Sequence, residues 1–476
     1  METSPSRERL FRWLLALGCF TLVLVCFSPA WSAFSLWSRV PEMGFQIEVR
    51  RGVSVLEQVA HPGNALTDPL HRAIQWRLLF PLIGHLLPLP PAAFFALAHL
   101  GCLLVIAYLI TLFRRARFTW ADTAFTAVTL GAASWFFTST GWLGYFDSWL
   151  ALALLAVAFA PTRWPVSTAC LLAPWIDERF VIAAPLAFYC RSVFQPTKPP
   201  ALLVPAALLV VFLIIRLSVL PHYSAAGATV AGYFGGKDYL DAPLSRIALG
   251  MWEGLRGGWI GVALAVMALR GPRRVALGLA TLALLAVGLA TAQDYSRSMT
   301  MLLPVAALGL LLAPVAPWRR ILLRCCAGAA LLLPAHHVMN DAVRPIFYLH
   351  HEIAAFENPP PGAHSDFYEL RAIHAMEQGD FVSAESDLDL AIKLAANPAS
   401  PAKQRGILRA SQGRWGDALR DFSTLAKHDP KNPDAWFMRA QAQLALGQPA
   451  AARTLAPAEW ITRPDVACFV AKLNAR

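Results

Sequence analysis

Three consecutive ionisable residues interrupt an apolar stretch near the middle of the chain. They are Asp177, Glu178 and Arg179, and they are the only charged residues between Pro165 and Cys190. Ionisable side chains at membrane depth are rare, and they usually pair with each other or serve a function. The planar fork of arginine binds two phosphate oxygens at once, and a carboxylate acts as a general base. This cluster therefore predicts a site for a phosphorylated substrate.

Other charged residues lie at the ends of apolar runs. Isolated burial would be costly, so we expect them to share one polar cavity or to pair with each other. The set that we assign to substrate binding is Arg77, Asp147, Asp177, Glu178, Arg179, Asp294 and Arg297. Acids suited to be the catalytic carboxylate lie in the polar stretch 34–77, and we favour Glu48 and then Glu42.

No metal site is predicted. The chain has eight cysteines but no Cys-x-x-Cys pair. His336 and His337 are adjacent, and neighbouring residues on a helix do not face one ligand. A divalent cation held between carboxylates and a pyrophosphate is left open.

Composition indicates a membrane protein. The chain has 476 residues, of which 57% are hydrophobic and 15% charged, and several apolar runs approach the length of a membrane span. We expect an all-α fold: a polytopic transmembrane helix bundle over 1–340, a linker over 341–364 and a helical solenoid over 365–476. About nine full spans and two short elements are predicted, including full spans at 119–138, 248–269 and 321–338.

Arginines at the ends of apolar runs set the topology. The net charge of +11 comes partly from such clusters, for example Arg114, Arg115 and Arg117, so we attribute it to the positive-inside rule and not to nucleic-acid binding. The same rule places Arg163 and Arg191 both inside. The segment between them must then be a hairpin with Asp177–Arg179 at its outer tip. The loop 34–77, with an interfacial helix at 68–77, and the C-terminal region are predicted to lie outside.

The C-terminal region repeats every 34 residues. Gly379, Gly413 and Gly447 keep this step, and so do Ala384, Ala418 and Ala452. Small residues at such positions let paired helices approach, and 34 residues is the tetratricopeptide period. Three antiparallel helix pairs over about 366–460 are expected, with a surface for a protein partner.

The layout of residues 1–340 resembles the GT-C type of polyprenyl-phosphate-dependent glycosyltransferases. Arg77 to Pro81 resembles an Arg-x-x-x-Pro element, Ile176 to Phe180 a charged hairpin element, and Asp294 to Arg297 an Asp-x-x-Arg element of bacterial members. The resemblance implies sugar transfer from a polyprenyl-phosphate donor on the periplasmic face of the bacterial inner membrane. The first loop lacks an adjacent acidic pair, and the separated Glu42 and Glu48 stand near the expected place of the catalytic acid.

Two other functions are kept open. One is an O-antigen-type polymerase or ligase, a class that also joins many spans to tetratricopeptide tails but places its key arginines and a histidine in one large late outer loop. The other is a non-catalytic membrane scaffold whose repeats recruit partners. The sugar, the acceptor and the length of the lipid do not follow from the sequence.

Overall fold

The computed structural model contains two compact units, Met1–Ile353 and Ala354–Arg476. The fold is almost entirely helical, as the sequence predicts. The residues that the structure describes are 5–27, 47–66, 71, 74–195, 203–218, 242–291, 294–314, 316–340, 343–346, 365–395, 397–430 and 432–453.

The first unit is a helix bundle. Its helices up to the hairpin are α1 (Pro5–Cys26), α2 (Ile47–Ala60), α3 (Leu79–Leu86), α4 (Pro91–Arg115), α5 (Trp120–Gly131), α6 (Ser134–Gly141), α7 (Asp147–Phe159), α8 (Arg163–Leu172) and α9 (Arg179–Phe194). Those that follow are α10 (Leu203–Ser218), α11 (Leu244–Leu255), α12 (Gly258–Ala268), α13 (Gly271–Thr291), α14 (Tyr295–Leu312, whose second turn is a 3₁₀ helix) and α15 (Pro317–Leu332).

Helix α7 lies at the centre of this bundle. Leu150, Leu154 and Leu155 are fully buried, and the helix packs against α4, α8, α9 and α14. Its first turn is attached to α4, because Ser148 Oγ donates a hydrogen bond to the Ala98 carbonyl at 2.9 Å. Helix α7 is apolar on all sides, as is typical of a helix buried in the core. Because it is packed on all sides, its N-terminal residue, Asp147, is held in place.

Four helices in the described part of the chain, α1, α4, α13 and α14, are long and apolar enough to cross a membrane. The prediction of about nine unbroken spans is corrected by the helix boundaries. The span expected at 119–138 is divided into α5 and α6. The span at 248–269 is divided into α11 and α12 by Arg256, which has a positive φ of 47°. Conformations of this kind end a helix even inside an apolar run.

The span expected at 321–338 is also corrected, and residues 343–346 of the linker expected at 341–364 form a strand. Helix α15 ends at Leu332, two residues before Pro334, and the chain continues as an antiparallel pair of strands, β1 (Ala335–Val338) and β2 (Val343–Ile346). Proline cannot continue the helix. Residues 341–342 and 347–364 of the linker lie outside the described part of the chain.

The stretch 34–77 contains a helix that the sequence analysis missed. Helix α2 is amphipathic and buries Arg51, Ser54, Val55 and Gln58. The interfacial helix expected at 68–77 lies partly outside the described residues, and its described end, 74–76, is a turn that leads to α3.

The second unit consists of helix pairs. They are α16 (Ser365–Glu377) with α17 (Phe381–Leu394), α18 (Ala399–Ser411) with α19 (Trp415–His428), and α20 (Pro433–Ala445) with α21 (Pro449–Arg453). The small residues Ala384 and Ala418 are fully buried between helices, as predicted from the repeat.

The repeated glycines have a different role from the one expected. Gly379, Gly413 and Gly447 have φ values of 79°, 76° and 73°, and nothing described lies within 4 Å of a Cβ placed on any of them. The residue after each glycine donates its N–H to a carbonyl five residues earlier, as Asp380 does to Ala375 at 2.9 Å. These glycines therefore end the first helix of each pair by adopting the left-handed conformation, and they do not allow close packing.

Candidate functional site

The tip of the hairpin presents an arginine already fixed by its neighbour. Helix α8 ends in a short 3₁₀ turn at Ala173–Trp175, and Asp177 follows it. Asp177 Oδ1 accepts hydrogen bonds from the Arg179 backbone N–H at 3.0 Å and from Arg179 Nε at 2.8 Å, and Oδ2 accepts from Nη2 at 2.7 Å. The side chain of Arg179 is thereby held in one orientation at the start of α9.

The two ends of the hairpin that the arginine pattern predicts lie close together. Near its far end, Arg191 Nη1 donates hydrogen bonds to the carbonyls of Val157 and Ala160 at 3.2 and 2.8 Å. Ala160 lies three residues before Arg163, so the chain returns to the end of α7 at which the hairpin began. The arginine pattern predicts an even number of crossings between Arg163 and Arg191, and the side of the membrane on which both lie stays a prediction.

Asp147 joins the hairpin to the late helix α14. Its Oδ1 accepts a hydrogen bond from Arg179 Nη2 at 2.8 Å. Arg297 binds the same carboxylate through both oxygens, with Nε to Oδ2 and Nη2 to Oδ1 at 2.8 Å each. Asp147 is 1% exposed. A buried carboxylate shared by two guanidinium groups satisfies the charge of all three groups at once.

Arg77 closes the network from the side of the first loop. It binds Glu178 with Nε and Nη2 at 3.1 and 2.8 Å, and its Nη1 lies 3.0 Å from Asp177 Oδ2. Residues that are 101 positions apart in the sequence therefore meet at the hairpin tip. The seven substrate-binding residues that the sequence predicts are linked through these contacts and the Asp294–Arg297 contact described next.

Asp294 and a histidine complete the cluster. Asp294 Oδ1 caps the first turn of α14 by accepting from the Arg297 N–H at 3.0 Å, and its Oδ2 lies 2.9 Å from His337 Nε2. The His337 ring stacks on Trp142 at 4.3 Å between ring centres. Arg297 also stands over the ring of Tyr145 at 4.1 Å. Three arginines thus meet four carboxylates, and the His337 ring lies at the edge of the cluster beside Asp294.

The two histidines were expected on a helix, and this placement is wrong. They lie on β1, where successive side chains point to opposite faces. His337 faces Asp294, whereas His336 Nδ1 lies 3.0 Å from Glu253 Oε1. Glu253 is in turn bound by Arg256 Nη1 at 2.6 Å. Strand alternation separates their roles, but a strand of four residues is too short for this alternation to be recognised in the sequence.

A narrow cleft of about 20 Å³ opens beside this cluster. Its charged lining residues are Arg51, Arg77, Asp147 and Asp177. Helix α2 forms one wall, since a Cβ on Gly144 would lie 2.9 Å from the Arg51 carbonyl oxygen. Gly144 has a φ of 85°, so the close approach and the backbone conformation both require glycine there. Arg51 and Tyr145 were not among the residues predicted from the sequence, because each lies outside the apolar runs or carries no charge.

The two candidate catalytic acids remain predictions. Glu42 lies outside the described residues. Glu48 belongs to the first turn of α2, one helical turn before Arg51, but its side chain is outside the described part of the chain. Among the residues that the structure describes, no three His, Cys, Asp or Glu side chains are grouped as a metal site.

Comparison with known proteins identifies the repeat region alone. The tetratricopeptide repeat family matches residues 370–443. This range covers most of the first two helix pairs and most of α20. No curated protein matches the chain, and no solved structure matches it. Tetratricopeptide repeats generally bind protein partners, and the helix bundle is compatible with a multi-pass membrane protein.

Proposed function

We propose that the first unit is a glycosyltransferase of the GT-C type. It transfers a sugar from a polyprenyl-phosphate donor to an acceptor on the periplasmic face of the inner membrane. The observation that carries the proposal is the Asp147 carboxylate, shared by Arg179 and Arg297 at 2.8 Å. This contact unites the charged hairpin element and the Asp-x-x-Arg element, which are far apart in the sequence, beside an open cleft.

The arginines have donors left for a phosphate. The hydrogen bonds of Arg179 and Arg297 in the described part of the chain use Nε and Nη2. A guanidinium carries five N–H donors, so Nη1 of each remains for a phosphate oxygen. The carboxylates hold both groups in place, and donors fixed in advance stabilise charge that develops on a leaving phosphate.

The proposed reaction needs a base on the first loop. A carboxylate, Glu48 or else Glu42, takes the proton of the acceptor hydroxyl. The acceptor oxygen then forms a bond to the anomeric carbon while the bond from that carbon to the phosphate oxygen breaks, and polyprenyl phosphate leaves. The packing of α2 against Gly144 supports this role, because it brings the helix that contains Glu48 to the wall of the cleft.

Protein recruitment is the second candidate function. The match of 370–443 to the tetratricopeptide repeat favours it. In the first unit, Met1–Ile353, which we call the membrane unit, the charges pair with each other. Such pairing would also suit a structural ion-pair network without catalysis. An O-antigen-type polymerase or ligase is less well supported, because that class places its key arginines and a histidine in one large late outer loop, whereas the large loop of this chain, 34–77, is early.

Sugar transfer can be tested with the purified full-length chain in detergent. The donors are a panel of hexoses on short polyprenyl phosphates, and released polyprenyl phosphate is measured. Arg179→Lys and Arg297→Lys keep the charge but lose the fork, so each should lower kcat/KM by about 100-fold. Glu48→Gln should lower kcat by about 100-fold or more.

Arg163→Lys is the matched control, because Arg163 is an exposed arginine of the same unit. It should retain the activity of the parent. Thermal unfolding of each variant separates lost chemistry from lost folding. Full activity of well-folded Arg179→Lys and Arg297→Lys variants would refute the transferase, and retained partner binding by all variants would then support the scaffold.

A further inference from the structure

A second group of arginines lies at the opposite end of α4 from its proline-rich start. Six arginines lie at the end of α4, in the turn after it and in the first half of α15: Arg114, Arg115, Arg117, Arg319, Arg320 and Arg324. Asp122 is the described carboxylate that faces them, and its Oδ2 lies 3.7 Å from Arg320 Nε. Glu8 is also near, but it already pairs with Arg12 at 2.6 Å. The group therefore has a large excess of positive charge.

Two of these arginines enclose the turn at 116–119. Arg114 Nη1 donates to the Phe118 carbonyl, and its guanidinium stands 3.9 Å over the Trp120 ring. Arg319 stands 4.2 Å over the Phe118 ring and is only 6% exposed. Within the described part of the chain, Nε of both arginines is buried and makes no hydrogen bond. Buried donors of this kind normally have an acceptor.

Two helix N-termini point to the same place. Helices α5 and α15 pack against each other, and the 3.7 Å contact between Arg320 and Asp122 joins their first turns. The N-terminus of a helix carries positive partial charge and free backbone N–H groups. Both features add to the arginines, so an anion is the ligand that this arrangement suits.

The position of the group selects the source of that anion. Helix α4 is one of the four that can cross a membrane, and the group begins at its last turn. Trp318 is 43% exposed beside it, and Phe11 of α1 packs edge-on against Trp120 at 4.6 Å. Aromatic rings with arginines are typical of the level of the lipid headgroups. Basic pockets between spanning helices bind anionic headgroups.

We propose that Arg114, Arg319 and the first turns of α5 and α15 bind the phosphate of an anionic phospholipid. The site depends on α4 crossing a membrane and not on sugar transfer. The phosphate oxygens would accept from the exposed Arg115 and Arg320 and from Nη2 of Arg114 and Arg319, because the hydrogen bonds of these two side chains in the described part of the chain use only Nη1. The acyl chains would lie along the apolar sides of the helices.

The test is native mass spectrometry of the full-length chain in detergent, titrated with phosphatidylglycerol and, separately, with phosphatidylcholine. The parent should retain phosphatidylglycerol at lower concentration than phosphatidylcholine. Arg114→Gln and Arg319→Gln should each weaken retention of phosphatidylglycerol about fivefold, the effect of one arginine near an anionic lipid. Arg163→Gln, an exposed arginine at the start of α8, should leave retention unchanged.

Equal retention of both lipids by the parent would overturn the proposal, and so would unchanged retention in the two glutamine variants. A third arm adds sn-glycerol 3-phosphate in millimolar excess. Full displacement of the lipid by this soluble compound would show a site for free phosphates instead. If Arg319→Gln does not fold, Arg115→Gln and Arg320→Gln decide the question, because both side chains are exposed. Sugar transfer is not measured, so the outcome is independent of the function proposed above.

Discussion

Arginine–carboxylate pairs occur in both units of the molecule, and they are built in different ways. In the repeat unit, Arg371 pairs with Asp387 and Arg405 with Asp421, each across 16 residues. The second pair follows the first by the repeat step of 34 residues. In the membrane unit, the pairs of Asp147 join residues that are 32 and 150 positions apart.

The difference concerns what each network needs in order to form. A repeat pair needs only its own two helices, so its stabilisation is local and adds up along the solenoid. The membrane cluster needs α7, the hairpin and α14 to pack first. Once they have packed, its charges are buried, and loss of one partner leaves the others without compensation. The membrane cluster should therefore be much more sensitive to mutation.

The largest effect is expected for Asp147→Ala. This change removes the carboxylate that Arg179 and Arg297 share, and it should lower the free energy of unfolding by about 3–5 kcal/mol. Thermal and denaturant unfolding in detergent measure it. The matched control is Asp389→Ala in the repeat unit, because its carboxylate is 54% exposed and should cost about 1 kcal/mol or less. Equal losses in the two variants would remove the distinction between the networks.

A packing change tests the repeat register. Ala418 is fully buried beside Phe422 and Ala442, so Ala418→Leu should overpack the contact and cost about 1–3 kcal/mol. The measurement is urea unfolding of the segment 354–476. Ala445→Leu enlarges an exposed alanine on α20 and serves as the control. If the urea unfolding curve of Ala418→Leu matches that of the parent, the predicted repeat register is wrong.

A smaller effect is expected for Asp421→Ala. Asp421 is 2% exposed and accepts hydrogen bonds from Arg405 Nη2 at 2.6 Å and Arg409 Nη1 at 2.9 Å. The arginines can still reach water or neighbouring carboxylates, so the cost should be about 1–2 kcal/mol. Urea unfolding of 354–476 again gives the value. A loss as large as that of Asp147→Ala would mean that the repeat pairs are as strongly coupled as the membrane cluster.

The smallest effect is a pH dependence in the repeat unit. The hydrogen bond from Arg414, aided by one from Arg409, holds the pKa of Glu385 below its ordinary value. The folded state then binds its proton less readily than the unfolded state does. The stabilisation is present above the unfolded pKa of about 4.3 and is lost as the pH falls through the lower folded value.

Melting temperatures of 354–476 and of its Glu385→Gln variant between pH 7 and pH 3 measure this contribution. The parent should lose more stability on acidification than the variant, because both share every other carboxylate. Parallel curves would show that Glu385 does not contribute to the pH dependence.

Much of the architecture follows from local patterns. The apolar runs predict helices, and the step of 34 predicts the repeat pairs, because each repeat is formed by contacts close in sequence. The hairpin also follows from the sequence, since its arginines leave only an even number of crossings. Helix lengths were predicted less well. The positive φ of Arg256 and the division of 119–138 into two helices are decided by packing, and hydrophobicity alone does not report them.

The sequence by itself determined which residues of the membrane unit carry charge in apolar surroundings, and the cost of burying such charge explains why they pair. Only the tertiary structure decided their partners. Arg297 keeps a 3.7 Å ion pair with Asp294, its neighbour along the helix. Its two side-chain hydrogen bonds go to Asp147 instead, because α7 and α14 pack side by side. His337 joined the cluster for the same reason. It lies on a strand next to Asp294, and a strand four residues long leaves too little periodicity in the sequence to be recognised.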